Sequence, residues 1–268
     1  MIRIMLITFS YIIFGSCTNN DQKVDTALLV QKEDIKLVAP KLKDNNFFFK
    51  DNTLISFYET FANSKVFYKV NNAKYKQYNG PFVISKSSQL SYFCADSDFI
   101  NSDTISQNYF NTVNFKRFKI EGSEPSEPYL NKGLSALNNI AKADFQFKDE
   151  EWIAFKDSVV KFELTVQDIV SQKGTIGFSF LNMQSSWIFK PQKISVEAVN
   201  DEGEVFSKQQ QVIDSKSIST DGFFYTTIQL EKPSLIYKIE IEQLDSLPSW
   251  HPGHGGQPWL FMDEIIVF

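Results

Sequence analysis

The chain of 268 residues is poor in cysteine, histidine and arginine: it has Cys17 and Cys94, His251 and His254, and only Arg3 and Arg117. Each shortage removes a class of function. Two cysteines give at most one bridge, and if Cys17 has another role there is no internal disulfide at all. Cys94 closes the apolar run Leu90-Ser91-Tyr92-Phe93-Cys94 and has no histidine near it in sequence, so it reads as a small buried hydrophobe and not as a nucleophile. Scarce arginine, scattered lysine and a net charge of −5 argue against nucleic acid, whose readers concentrate basic residues on one face. No apolar run reaches the roughly 20 residues that a membrane-crossing helix needs.

What the chain has in quantity is aromatic residues, 15% of the total with 26 Phe, and this favours strands. A hydrophobic fraction of 43% and a charged fraction of 22% are those of a globular body, and the length suits two domains.

The N-terminus combines a short basic start, Met1-Ile2-Arg3, with an apolar stretch over 4–14, and so reads as a signal peptide over residues 1–16. Phe14-Gly15-Ser16-Cys17 resembles the lipobox of bacterial lipoproteins, with Phe14 in place of the usual Leu. The resemblance implies cleavage before Cys17, lipid on Cys17, and a place in the bacterial cell envelope, anchored in the outer membrane. No dense acidic cluster follows Cys17, which favours the periplasmic face. Residues 17–37 are polar and irregular and read as a tether.

Over 38–115, short apolar or alternating runs such as Leu54-Ile55-Ser56-Phe57-Tyr58 and Val66-Phe67-Tyr68-Lys69-Val70 are broken by turn residues such as Asn79-Gly80-Pro81. That spacing predicts a small β-sandwich. Glu121-Gly122-Ser123-Glu124-Pro125-Ser126-Glu127-Pro128 predicts an extended, solvated linker within 116–131. Over 132–268, period-two runs such as Val159-Val160-Lys161-Phe162-Glu163-Leu164 and Ile236-Tyr237-Lys238-Ile239-Glu240-Ile241 predict about eight strands in a jelly roll, with a hairpin turn at Asp201-Glu202-Gly203 and a helical turn within 134–140. The expected fold is therefore all-β, two sandwiches in tandem.

Two segments carry a resemblance. Ser186-Trp187-Ile188-Phe189-Lys190-Pro191 and the run from Trp250-His251-Pro252-Gly253-His254-Gly255-Gly256 to Trp259-Leu260-Phe261-Met262-Asp263-Glu264-Ile265 are similar to motifs in the discoidin-like (F5/8 type C) tail of family 20 β-N-acetylhexosaminidases. Asp149-Glu150-Glu151-Trp152-Ile153-Ala154-Phe155 resembles a third, with Glu150 in place of Gly. Tyr78-Asn79-Gly80-Pro81-Phe82 resembles, more weakly, the Ig/fibronectin-III-like domain that precedes this tail. The catalytic barrel of those enzymes has no counterpart here. The resemblance therefore implies an Ig/fibronectin-III-like sandwich followed by a galactose-binding-like jelly roll.

Chemistry is scarce. Glycoside hydrolysis needs two carboxyls facing one another, and neighbours such as Asp263 and Glu264 on one strand are expected on opposite faces. His251 and His254 lack a third histidine for a zinc site and are expected to cap backbone groups. The resemblance implies a structural calcium ion with ligands mapped onto Asn139, Asp144 and Glu264, but Asn139 stands where Asp is commoner and Ile140 where Gly is. Sugar binding needs aromatic platforms. Trp187, Trp250 and Trp259 are candidates, with His251 and His254 as polar partners and Trp250 the foremost, while Trp152 and Trp187 adjoin strands and are expected in the core. The reading is a non-catalytic, lipid-anchored protein that binds an envelope glycan, beside a partner glycosidase or alone. The alternative is a module that braces a partner enzyme and has no sugar site.

Overall fold

The computed structural model describes residues 34–43, 47–61, 64–169 and 173–268; the signal peptide, Cys17 and nearly all of the tether lie outside them. Short strands and brief 3-10 turns make up two β-sandwiches, as the punctuated alternation predicts. In the first, β1 (Phe48–Phe49), β7 (Ile105–Asn111), β6 (Ser88–Ala95), β3 (Lys65–Val70) and β4 (Lys76–Gln77) form one sheet in that order. β2 (Thr53–Ile55) and β5 (Phe82–Ile84) form the other. Phe49, Ile55, Phe57, Tyr68, Ile84, Leu90, Tyr92 and Cys94 fill the space between. Burial pushes the Cys94 thiol above its ordinary range, as befits a core side chain.

The second sandwich pairs two antiparallel sheets. One runs β13 (Val205–Val212), β12 (Lys193–Val199), β15 (Ile236–Glu242), β10 (Val159–Val166), β8 (Phe118–Gly122). The other runs β14 (Gly222–Leu230), β11 (Gly174–Asn182), β16 (Leu260–Val267), β9 (Ile153–Phe155). Alternation on β10 sends Phe162 and Leu164 inward against Phe178, Phe180 and Met262. The hairpin turn at 201–203 forms, with Gly203 at φ 82° and its N–H on the Asn200 carbonyl. The helical turn is a 3-10 segment, Gly133–Asn138, that buries Ala136 and Leu137.

The expected linker is corrected in part. β8 falls inside 116–131 and pairs with β10, and beyond it Ser123 N–H donates to Lys161 O and Ser126 N–H to Ala154 O. Gly122 marks a close crossing, not flexibility: at φ 147°, a Cβ there would lie 2.1 Å from the Lys161 carbonyl oxygen. The two sandwiches also touch. Phe110 meets Tyr225 at 4.2 Å between ring centroids, and Phe48, Phe115 and Phe268 join Ile266 in the same aromatic seam. This second contact covers Ile266 on β16, a strand buried along its whole length although it carries Asp263 and Glu264.

Candidate functional site

Three loops meet at one end of the second sandwich: 183–190 after β11, 214–221 between β13 and β14, and 247–259 ahead of β16. Gln184 ties the first two together. Its Nε2 donates to Ser217 O at 3.0 Å and its Oε1 accepts from Ser219 N–H at 3.0 Å. Asp221 accepts from Gln184 N–H at 2.9 Å and from the Ser185 hydroxyl at 3.3 Å. The third loop is fastened by Trp250, whose Nε1 donates to Lys216 O at 2.6 Å. Polar groups that would otherwise leave these loops loose are thus spent on one another.

His251 sits at the centre and is only 5% exposed. The rings of Trp187, Phe189 and Trp250 surround it at 6.1, 5.7 and 5.6 Å. Its Nδ1 accepts from Gly253 N–H at 3.0 Å, so Nε2 carries the proton and donates to Gln184 O at 2.8 Å. Both ring nitrogens are therefore engaged, and the expected ligand-binding role of His251 is corrected to that of a buried brace. His254 is exposed, with Nδ1 donating to Leu247 O at 3.1 Å and Nε2 left as an acceptor towards solvent. Both imidazoles cap backbone groups, as expected.

Trp187 departs from expectation. It is 43% exposed, because it ends the 3-10 turn Gln184–Ser186 in the left-handed region at φ 66° and swings its ring outward over the third loop. There the six-membered ring lies against Gly253 and Gly256; a Cβ on either would come within 2.6 and 3.0 Å of it. Its indole N–H has no partner among the described residues. Trp250, the foremost platform candidate, is 38% exposed, with one side on Phe189. The Trp259 ring lies apart from those of Trp187 and Trp250, half-buried against Tyr129 at 5.1 Å and beneath the Lys156 ammonium at 4.5 Å. Trp152 is fully buried, as expected. What results is a pair of half-exposed, immobilised indoles with His254 Nε2, the Trp187 N–H and the Asp221 carboxylate on the same loops. Such a surface stacks on an apolar face and hydrogen-bonds a polar edge.

The acidic pair Asp263 and Glu264 lies elsewhere, and both residues are buried. The β11–β16 register shifts between Ser179 and Phe180, leaving Asp263 as an extra residue in the pairing. Both carboxylates then reach the 139–143 loop, which corrects their expected placement on opposite faces: Asp263 accepts from Ala143 N–H at 3.0 Å and from the Lys142 ammonium, Glu264 from Ile140 N–H. Burial, reinforced by the neighbouring Asp263, pushes the Glu264 carboxyl up to about 9. Burial also pushes the Lys142 ammonium below its ordinary value, opposed by the attraction of Asp263.

The expected calcium ligands do not fit an ion. Asn139 Oδ1 accepts from Ala141 N–H and its Nδ2 donates to Glu151, Asp144 is exposed, and Glu264 is met by an N–H donor. Among the described residues no three His, Cys, Asp or Glu side chains cluster as metal ligands. Calcium asks for six to eight oxygens; two carboxylate oxygens, Asp263 Oδ1 and Glu264 Oε2, are buried without a partner, and the loop faces the pair with two N–H groups and an ammonium.

No protein-family model and no curated protein matches the chain. Solved structures give remote likenesses. A structure reported for the promiscuous specificity of carbohydrate-binding modules of the β-sandwich superfamily is 14% identical, covering 88% of this chain and 99% of that one, with a TM-score of 0.31. GH31 CBM32-2 bound to GalNAc is 11% identical over 57% of this chain and 97% of that one, with a TM-score of 0.34. A SusE-like protein is 11% identical over 86% and 97%, with a TM-score of 0.29. Likenesses this distant carry no argument about function, which rests on the loops themselves.

Proposed function

We propose that the chain is a non-catalytic carbohydrate-binding protein of a bacterial envelope, held to the outer membrane by lipid on Cys17, with its sugar site on the Trp187–Trp250 loops. One observation carries the reading: two indoles stand half-exposed at one loop end, and the braces beneath them hold them there at no further ordering cost. A pyranose offers such a surface its C–H face for stacking and its hydroxyls for His254, Asp221 and the Trp187 N–H. The acids do not compete with this reading. Asp263 and Glu264 are buried, while Asp149 and Glu151 hold the turn between them and the Lys132 and Asn139 side chains.

The test is a glycan array with the chain, repeated with Trp187→Ala and Trp250→Ala. Binding lost in both variants supports the reading. Binding that survives both removes the site, and the absence of binding by folded protein removes the function.

A second reading has its own observation. An apolar groove of about 530 Å³ in the first sandwich is lined by Ile35, Leu37, Val38, Tyr58, Phe61 and Phe99. A protein that braces a partner glycosidase would present such a surface, and this reading gains if the array stays blank.

A further inference from the structure

We infer that the Lys142 ammonium, and not a divalent cation, fastens the 139–143 loop to the end of β16. The loop leaves the 3-10 turn Gly133–Asn138 and docks on the bulged pair Asp263 and Glu264 through the Ile140 and Ala143 N–H groups. Asp263 is fully buried, and a buried carboxylate needs a counter-charge within reach. Lys142 supplies it from inside the same loop: its side chain is 9% exposed and its Nζ shares Asp263 Oδ2 with the Ala143 N–H. On the other side the ammonium faces the Phe223 and Trp152 rings at 4.1 and 4.6 Å from their centroids, so aromatic faces replace the water it has lost.

The ammonium and the two N–H groups occupy Asp263 Oδ2 and Glu264 Oε1, while Asp263 Oδ1 and Glu264 Oε2 are buried without a hydrogen-bond partner among the described residues. A cation at this position would meet the ammonium and two N–H donors, while the one amide side chain at hand, Asn139, is turned away onto Ala141 and Glu151. One of the two positive charges that calcium would bring is already present on the Lys142 side chain, paired with Asp263. The sequence departs from the resembled pattern at this same place, with Asn139 for Asp and Ile140 for Gly.

The test is the melting temperature of the full chain with excess calcium chloride and with EDTA, for the unaltered protein, Lys142→Met, and Lys142→Met combined with Asp263→Asn. The unaltered protein is expected to melt at the same temperature in both solutions. Lys142→Met strands the Asp263 charge and should lose roughly 10 °C. The double variant, with no charge to strand, should recover much of that loss. Calcium that raises the melting temperature of the unaltered protein, reversed by EDTA, overturns the inference. So does Lys142→Met melting like the unaltered protein, or a double variant no better than the single one.

Discussion

The indole of Trp187 rests on the α-carbon of Gly253, where a methyl group would lie 2.6 Å from Cζ2. Gly253 therefore sets how closely the Trp187 ring approaches the third loop. Gly253→Ala should displace the ring, raise its quenching by iodide, and weaken glycan binding about as much as Trp187→Ala, by roughly tenfold. Titration of both variants against the best array ligand checks this. Full affinity in Gly253→Ala would detach Trp187 from the site.

His251 and His254 should separate stability from binding. His251 is buried with both nitrogens bonded, so His251→Ala leaves Gln184 O and Gly253 N–H unpaired around a cavity and should cost about 3 kcal/mol. His254 is exposed, and His254→Ala should move urea unfolding by less than about 0.5 kcal/mol while lowering glycan affinity. Equal unfolding midpoints for the two variants would overturn the division.

The sandwiches were legible wherever one face of a strand is wet, because β10 and β15 then alternate residue by residue. β13 was not. It is an edge strand whose Ser207-Lys208-Gln209-Gln210-Gln211 stretch buries almost nothing, and only pairing with β12 makes it a strand. That pairing sets Lys208 beside Glu197, Lys238 and Glu163 across the sheet, a charge-alternating row that no local window contains. β8 was hidden by Gly122, whose role is a close crossing and not a turn. At the site, Trp250 and the capping histidines could be read from a Pro/Gly-rich loop. The outward swing of Trp187 depends on a left-handed turn, and Gln184, Asp221 and Lys142 act through hydrogen-bond partners between 33 and 121 positions away.

Ile140 adopts φ 61° although it is β-branched, and it is 44% exposed, so it pays a backbone penalty for little burial. Ile140→Gly should keep the N–H bond to Glu264 and gain about 1 kcal/mol in urea unfolding. A loss of stability would mean that the side chain's packing outweighs the strain.

Glu264 gives the fold a pH dependence of stated sign. Its carboxyl is pushed from 4.5 to about 9 in the folded chain, chiefly by burial, so between those values the folded state holds a proton that the unfolded state has released. Its stabilising contribution is complete below about 4.5, declines as pH rises through the window, and is gone above about 9. Lys142 acts in the opposite direction: its depressed value makes stability rise with pH between that value and 10.5. The comparison that isolates Glu264 is with Glu264→Gln, which keeps an acceptor for Ile140 N–H and cannot ionise. The two proteins should have similar urea midpoints near pH 4, and the variant should gain steadily on the unaltered chain up to about pH 9. A constant difference across that range would mean that Glu264 stays ionised in the fold, with Lys142 serving both carboxylates at once.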